Sequence, residues 1–258
     1  MNPHLLESVY RRLLREAPKK KTTRPKGQSF SPDDLAVVIE DRGTQFDATI
    51  YSPAALLQVF ESDAYPSYGE GSMKNFRRLQ TFGVFKGFIS IEKPETPCNR
   101  AWEVKMSAGP GIGKVVYGVG YALSPSGILI PDRMSVSGPA QGGWSKQGDR
   151  KKKPLDNVDH PPTGSDPFHD EHHTEKTTDD CKTYPSREGL DFLNYSYEAE
   201  GWEKGVLNTL KKNHTAAMGW IDTNYDGPID SWEVEKTLVY HGPDFFSVSY
   251  DRFNPRSQ

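Results

Sequence analysis

The chain has 258 residues, of which 34% are apolar, 26% charged and 11% aromatic, with 23 glycines and 20 prolines. These proportions exclude a collagen-like or coiled-coil fibre, and no stretch approaches the roughly 20 apolar residues that cross a bilayer. A mean hydropathy of -0.72 puts part of the chain in solvated loops, while Trp102, Trp144, Trp202, Trp220 and Trp232 need cores to enter.

The net charge of -3 is unevenly spread. Up to Lys26 there are eight Lys/Arg against Glu7 and Glu16, and from Leu155 to Cys181 eight Asp/Glu against Lys176 alone. Cys98 and Cys181 lie far apart without a metal or redox spacing, which predicts reduced thiols and an intracellular setting. Met1 to Ala17 is charged and lacks an apolar h-region, so no secretory leader is expected.

In chain order, Leu5, Leu6, Val9, Leu13 and Leu14 recur at helical spacing with Arg11, Arg12 and Arg15 on other faces. Pro18 and KKKTTRPKGQ end that helix and form a linker, so residues 1–26 read as a basic amphipathic arm. Residues 1–17 would suit a protein assembly partner, a nucleic-acid or membrane-surface contact, or a solubilising role. From Ser31 the pattern becomes globular. SPDD has the form of an N-cap with acids in the first turn, and LAVVIE is too short to assign to helix or strand. Ser52 and Pro53 open a predicted helix with Leu56, Leu57 and Phe60 on one side. Phe82 to Glu92 is strand-like, and Trp102, Val104 and Met106 alternate with Glu103 and Lys105 in a second strand.

That strand runs into Gly109, Gly111 and Gly113, which precede an apolar, helix-length run from Lys114 to Leu123. Glycines there allow positive φ and let several amide N–H groups converge, and the helix N-terminus adds its dipole. The turn is therefore built to hold an anion, most naturally a pyrophosphate. Pro125 and Gly127 end the helix, GILIP reads as a buried strand, and SVSGPAQGGW starts another helix capped by Ser135 or Ser137. The turn is not a Walker A loop, because Gly113-Lys114 is followed by Val115. Nor is it a dinucleotide fingerprint, because the third glycine falls one place early.

The order of elements on both sides of this turn resembles the GNAT superfamily of N-acetyltransferases, whose acyl-CoA turn reads Q/R-x-x-G-x-G/A. Gly111 and Gly113 match; the leading position is Ala108 here, which departs from the polar residue of the pattern. The resemblance covers residues 31–150. It implies an α/β fold with a GNAT-like mixed twisted sheet flanked by helices, an N-terminal helical arm and a small C-terminal extension. It further implies transfer of an acyl group from acetyl-CoA or another acyl-CoA to an amine acceptor. On this resemblance the coenzyme is bound by Val104, Met106, Gly109, Gly111, Ile112, Gly113 and Lys114, with a backbone N–H of the bulged strand on the thioester carbonyl. Glu92 and Glu103 are the candidate bases, and Tyr117 the candidate donor to the departing thiolate, ahead of Tyr121 and Ser137. Arg133 is a candidate for a substrate or coenzyme phosphate, or for pairing with Asp132 or Asp149.

LIPDRMSVSGPAQGGW, the stretch ending in DDC, LNYSY and the leader SVYRRLLREA resemble proteins of tailed bacteriophages. This implies a phage-encoded enzyme in the host cytoplasm, or a non-catalytic virion or assembly protein on the same fold. Arg150 to Lys153 and the basic arm suit a polyanion such as nucleic acid, against which the slightly acidic net charge counts.

Residues 151–190 form an acidic stretch in which His160, His169, His172 and His173 lie among carboxylates without a fixed pair of metal-ligand spacings. The aromatic region 191–258 contains DTNYDGPIDSWE, which resembles an EF-hand loop. It puts Asp222, Asn224, Asp226, Pro228, Asp230 and Glu233 at the ligand positions and Gly227 at the sharp turn, so Ca²⁺ is an expected ion. A helix from Glu203 to Lys212 before it and one from Val234 after it fit that reading. A metal-free turn rich in Asx residues is its rival.

Overall fold

The computed structural model describes residues 31–62, 72–94, 98–132, 136, 138–155, 191–225 and 229–253. The basic arm, the four clustered histidines, Cys181, Arg133, Ser135, Ser137, Asp226 and Pro228 lie outside the described residues. Ser31 does cap a turn: its hydroxyl accepts from the Asp33 amide while Asp34 accepts from the Ser31 amide, closing a single 3-10 turn at Pro32–Asp34. The ambiguous LAVVIE that follows becomes strand β1 (Ala36–Asp41), paired antiparallel with β2 (Gln45–Tyr51). Ser52 opens α1 (Pro53–Glu61) by accepting from the Ala55 amide, and α2 (Ser72–Thr81) leads back to β3 (Phe85–Glu92).

Next come β4 (Trp102–Ala108), α3 (Gly113–Leu123), β5 (Ile128–Pro131), α4 (Gly138–Ser145), β6 (Lys152–Pro154), β7 (Tyr195–Glu198), α5 (Glu203–Asn224) and α6 (Ser231–Phe253). The strands form one seven-stranded mixed sheet in the order β1-β2-β3-β4-β5-β7-β6. Every neighbouring pair is antiparallel except β4 and β5, which are parallel and joined across α3, as a parallel pair requires.

Strand alternation divides the apolar residues between two cores. On one face Val37, Ile50, Ile89 and Val104 meet Val116 and Val119 of α3 and Leu207 and Leu210 of α5. On the other, Val38, Tyr51 and Phe88 meet Leu56 of α1, Leu79 of α2 and Leu238 of α6. Helix α5 belongs to both, because its later residues Ala217, Met218 and Ile221 enter the second core. It crosses at the β1 end of the sheet, where the buried Asn213 amide donates to the carbonyls of Asp33 (3.1 Å) and Leu35 (2.7 Å). The fully buried Tyr51 hydroxyl is held protonated, chiefly by burial and then by Glu235. It is hydrogen-bonded to His214 Nδ1 at 2.8 Å, and Nε2 of the same ring is hydrogen-bonded to Glu235 of α6 at 2.7 Å.

Two expectations change. The region after residue 190 is more than an extension: β7 lies between β5 and β6, and α5 and α6 complete both cores. Local periodicity shows that a helix has an apolar face but not which core receives it. Cys98 is disulfide-bonded rather than a reduced thiol, because separation in sequence does not report proximity in space. Among the described residues no helix is long and apolar enough to cross a membrane.

Asn213→Ala strands the carbonyls it serves at the β1 edge. It is expected to cost about 1–3 kcal/mol, read as a lower urea midpoint with an unchanged slope.

Candidate active site

Strand β4 has full antiparallel company on its β3 side, but there the register slips. Val104 sits opposite Ile91 and Met106 opposite Ser90, so Lys105 is the extra residue of a β-bulge. On the β5 side the pairing runs from Trp102 to Val104 and stops, the last partner being Pro131. A proline has no N–H to continue a ladder. From Lys105 to Ala108 the β5-facing edge of β4 therefore has no strand partner among the described residues.

The glycine turn follows directly. Gly109 accepts at its carbonyl from the Ile112 amide at 3.0 Å across Pro110 and Gly111. Gly111 has φ of 79°, which together with the preceding proline is the signature of a type II turn. A Cβ on Gly109 would stand 2.5 Å from Val116 Cγ2, so only glycine lets the turn close onto α3. Ile112, at the N-cap, supplies no side-chain cap, which leaves the first amides of α3 for another acceptor.

These elements form one side of a cleft of about 680 Å³. Gly109, Gly111, Gly113 and Lys114 line it together, and Tyr117 reaches it one turn further along α3. The other side comes from α4 and the segment after it: Gly142, Gly143, Lys146, Gln147 and Arg150. Val104 and Ile112 are buried in the α3-side core, Val104 within the ladder and Ile112 with its amide on Gly109 and its carbonyl on the Val116 amide, whereas Met106 is 38% exposed beyond the bulge.

Tyr117 is buried against Trp144, its ring centroid 5.2 Å away. Its hydroxyl accepts from Ser107 Oγ at 3.2 Å, leaving its own proton to donate. Burial raises its pKa against the opposing effect of that bond, so the phenol is a neutral donor at neutral pH. The buried Tyr121 hydroxyl has no hydrogen-bond partner among the described residues, and the Arg150 guanidinium lies over that ring at 4.2 Å.

Glu92 and Glu103 are brought together, as directly opposed residues of β3 and β4. Val104 and Trp102, their neighbours on β4, enter the α3-side core, so by alternation the two carboxylates belong to the opposite face, away from Tyr117. Lys105 Nζ lies 3.2 Å from Glu103 Oε1. Burial opposes the lysine's charge, but Glu103, with Asp132 and Glu92 behind it, holds the ammonium above its ordinary value. The same face continues into Asp47, whose carboxylate accepts from Gln45 Nε2, itself also donating to Ser90 Oγ.

Arg150 was legible in sequence only as the first of four basic residues, yet it is buried while Lys151, Lys152 and Lys153 are exposed. Its Nη1 donates to Glu203 Oε1 at 2.6 Å and to the Glu198 carbonyl at 3.2 Å, and its Nε to Gln147 Oε1 at 2.7 Å. Glu203 accepts as well from the amides of Glu200 and Gly201. Burial works to raise the Glu203 pKa, and the Glu200 amide and Arg150 overcome it, leaving a net lowering.

At the junction of α5 and α6, Asp222 accepts from the Ser231 amide at 3.0 Å and from its hydroxyl at 2.9 Å, and Asp230 caps α6 through the Glu233 amide at 3.0 Å. Asn224 donates to the Trp220 carbonyl within α5. The Asp222 and Asp230 bonds serve the opening of α6, and among the described residues no group of three or more His, Cys, Asp or Glu is placed to hold a metal; Asp226, Gly227 and Pro228 of the expected calcium loop lie outside the described residues.

In comparisons with known proteins, no family, no curated protein and no solved structure matches the chain.

Glu203→Gln leaves the buried Arg150 charge uncompensated and is expected to cost about 3–5 kcal/mol at pH 7. Because the folded-state pKa of Glu203 lies below its unfolded value, its contribution is present at neutral pH and is lost as pH falls through the folded value. A pH series of urea melts should therefore show a shallower acid limb in the variant than in the native chain.

Proposed function

We propose that the chain is a GNAT-like N-acyltransferase, moving an acyl group from acyl-CoA to an amine, with a phage-encoded protein acting in the host cytoplasm as its setting. The observation that carries this reading is the bulge at Lys105 beside a parallel strand pair that ends at Val104, leading straight into a glycine turn whose glycines line a cleft. The sheet order and the parallel pair in its middle support it.

Acyl-CoA supplies an already activated thioester. The edge of β4 just past Val104, around Met106, would orient it and offer backbone N–H groups to the carbonyl oxygen. Gly109, Gly111, Gly113 and the Lys114 backbone would hold the diphosphate at the start of α3, with Ile112, whose amide closes the turn onto Gly109, shaping the bend. Tyr117, protonated and with its hydroxyl hydrogen uncommitted to Ser107, would give that proton to the leaving sulfur. On the opposite face Glu103, opposed by Glu92, would take the proton of the attacking amine. The carboxylates clustered around Lys105 suit an acceptor that arrives as an ammonium ion.

A second reading, a non-catalytic virion or assembly protein, draws on Trp232 and Tyr240, which stand 57% and 72% exposed on α6, and on the Cys98 disulfide, a bond that persists in oxidising surroundings.

Calorimetric titration with acetyl-CoA separates the two. Saturable binding is expected, and no heat at millimolar ligand removes the enzyme. In the bound protein, Tyr117→Phe should keep coenzyme affinity and lower turnover by about 10²–10⁴; unchanged turnover would take Tyr117 out of the chemistry.

A further inference from the structure

We infer that Arg150, held in place by the positioning residue Glu203, is the principal side-chain anchor for anions in the cleft, and that the ligand it selects carries two linked phosphates. The inference rests on the coenzyme reading for the identity of the whole ligand, but not for the existence of the anion site.

The glycine turn contributes amides and no polar side chain. Position 108, where the resembled pattern has a polar residue, is apolar for a structural reason: Ala108 pairs with Phe88 and packs against the core on the α6 side of the sheet. A long polar side chain there would enter that core. The missing donor is supplied from across the cleft. The Arg150 side chain is only 8% exposed, lines the cleft and is immobilised on the Tyr121 ring. Its Nε and Nη1 are consumed by Gln147, Glu198 and Glu203, whereas Nη2 makes no hydrogen bond with the described residues. In this guanidinium, held in place by its other two nitrogens, Nη2 is the donor left for a ligand in the cleft that Arg150 lines.

Lys114 follows the glycine turn and its Nζ lies 5.0 Å from the Trp202 ring, which the Arg150 guanidinium also flanks at 5.5 Å; Lys146 is the third cation of the cleft, with Asp149 and Glu200 as its acids. Glu200 is drawn off by the Trp202 indole, which donates to it at 2.7 Å, and Glu203 faces Arg150 from behind. A single phosphate can satisfy one wall; a diphosphate offers one phosphate to the amides of α3 and one to Nη2 of Arg150.

The test is calorimetry of the full chain with inorganic pyrophosphate, inorganic phosphate and acetyl-CoA as probes. Pyrophosphate should bind about tenfold tighter than phosphate, and Arg150→Lys, which keeps the charge beside Glu203 but loses the Nη2 donor, should weaken pyrophosphate by about tenfold or more. Lys151→Ala, on the exposed neighbour, should bind as the native chain does. Should Arg150→Lys melt too early to titrate, Lys146→Ala, at an exposed position, is expected to weaken pyrophosphate by about threefold, and no loss there overturns the two-wall site. Native-like pyrophosphate affinity in Arg150→Lys, or phosphate binding as tightly as pyrophosphate, overturns the inference. Binding of acetyl-CoA that ignores Arg150→Lys leaves the transferase standing and sinks the anchor. Arg150-dependent pyrophosphate binding without acetyl-CoA binding keeps the anchor and sinks the transferase.

Discussion

The architecture turns on the unequal lengths of two parallel strands. β4 continues for four residues past the point where β5 ends at Pro131, and the bulge at Lys105 falls in the first of them. Backbone groups in the middle of a sheet are normally consumed by neighbours; here, among the described residues, a run of them has no strand partner on one side at the sheet's centre, between two faces covered by helices. Everything proposed for the protein is placed with respect to that gap. The glycine turn begins where the unpaired strand ends, Tyr117 lies on the α3 side, and Glu92 and Glu103 lie on the other.

Holding such a gap open requires the flanking parts to be rigid. The half of the sheet on the β1 side is fixed by two cores and by α5, which reaches from one to the other past Asn213. The Tyr51–His214–Glu235 chain adds a polar tie between β2, α5 and α6 inside the second core. On the β7 side the buried Arg150–Glu203 pair joins the segment after α4 to the first turn of α5. Buried ion pairs are weak contributors to net stability but severe constraints on geometry, because neither partner can be moved alone without leaving a charge unpaired. Arg150 is thus a cleft residue whose position is set by the same helix that closes the cores.

Local chemistry carried much of this reading. SPAALLQVFE announced α1 through a serine cap and a proline in the first turn, and PGIG announced a turn requiring positive φ, because both depend on residues adjacent in the chain. The strand-turn-helix order around Gly109 to Gly113 was legible for the same reason, as was Tyr117 at the next turn of α3. LAVVIE was not, since a short apolar run fits a buried strand and a helix equally until a partner strand selects one. The DTNYDGPIDSWE string carries oxygen ligands at suggestive spacing, but spacing does not say what an oxygen is bonded to, and Asp222 and Asp230 turn out to serve Ser231 and Glu233.

The sequence by itself determined the local conformations: which segments turn, which are capped, and that a glycine-rich bend precedes a helix. Only the tertiary structure decided that Lys105 is an extra residue opposite β3, that β5 stops short of β4, and that Arg150 alone of its basic run is buried. It also decided that Cys98 is bonded and that Glu203, far along the chain, is the residue that holds Arg150. The physical reason is the range of the interactions involved. Capping and turn chemistry act between residues a few positions apart, whereas strand register, desolvation and the pairing of buried charges depend on contacts that exist only once distant segments have packed together.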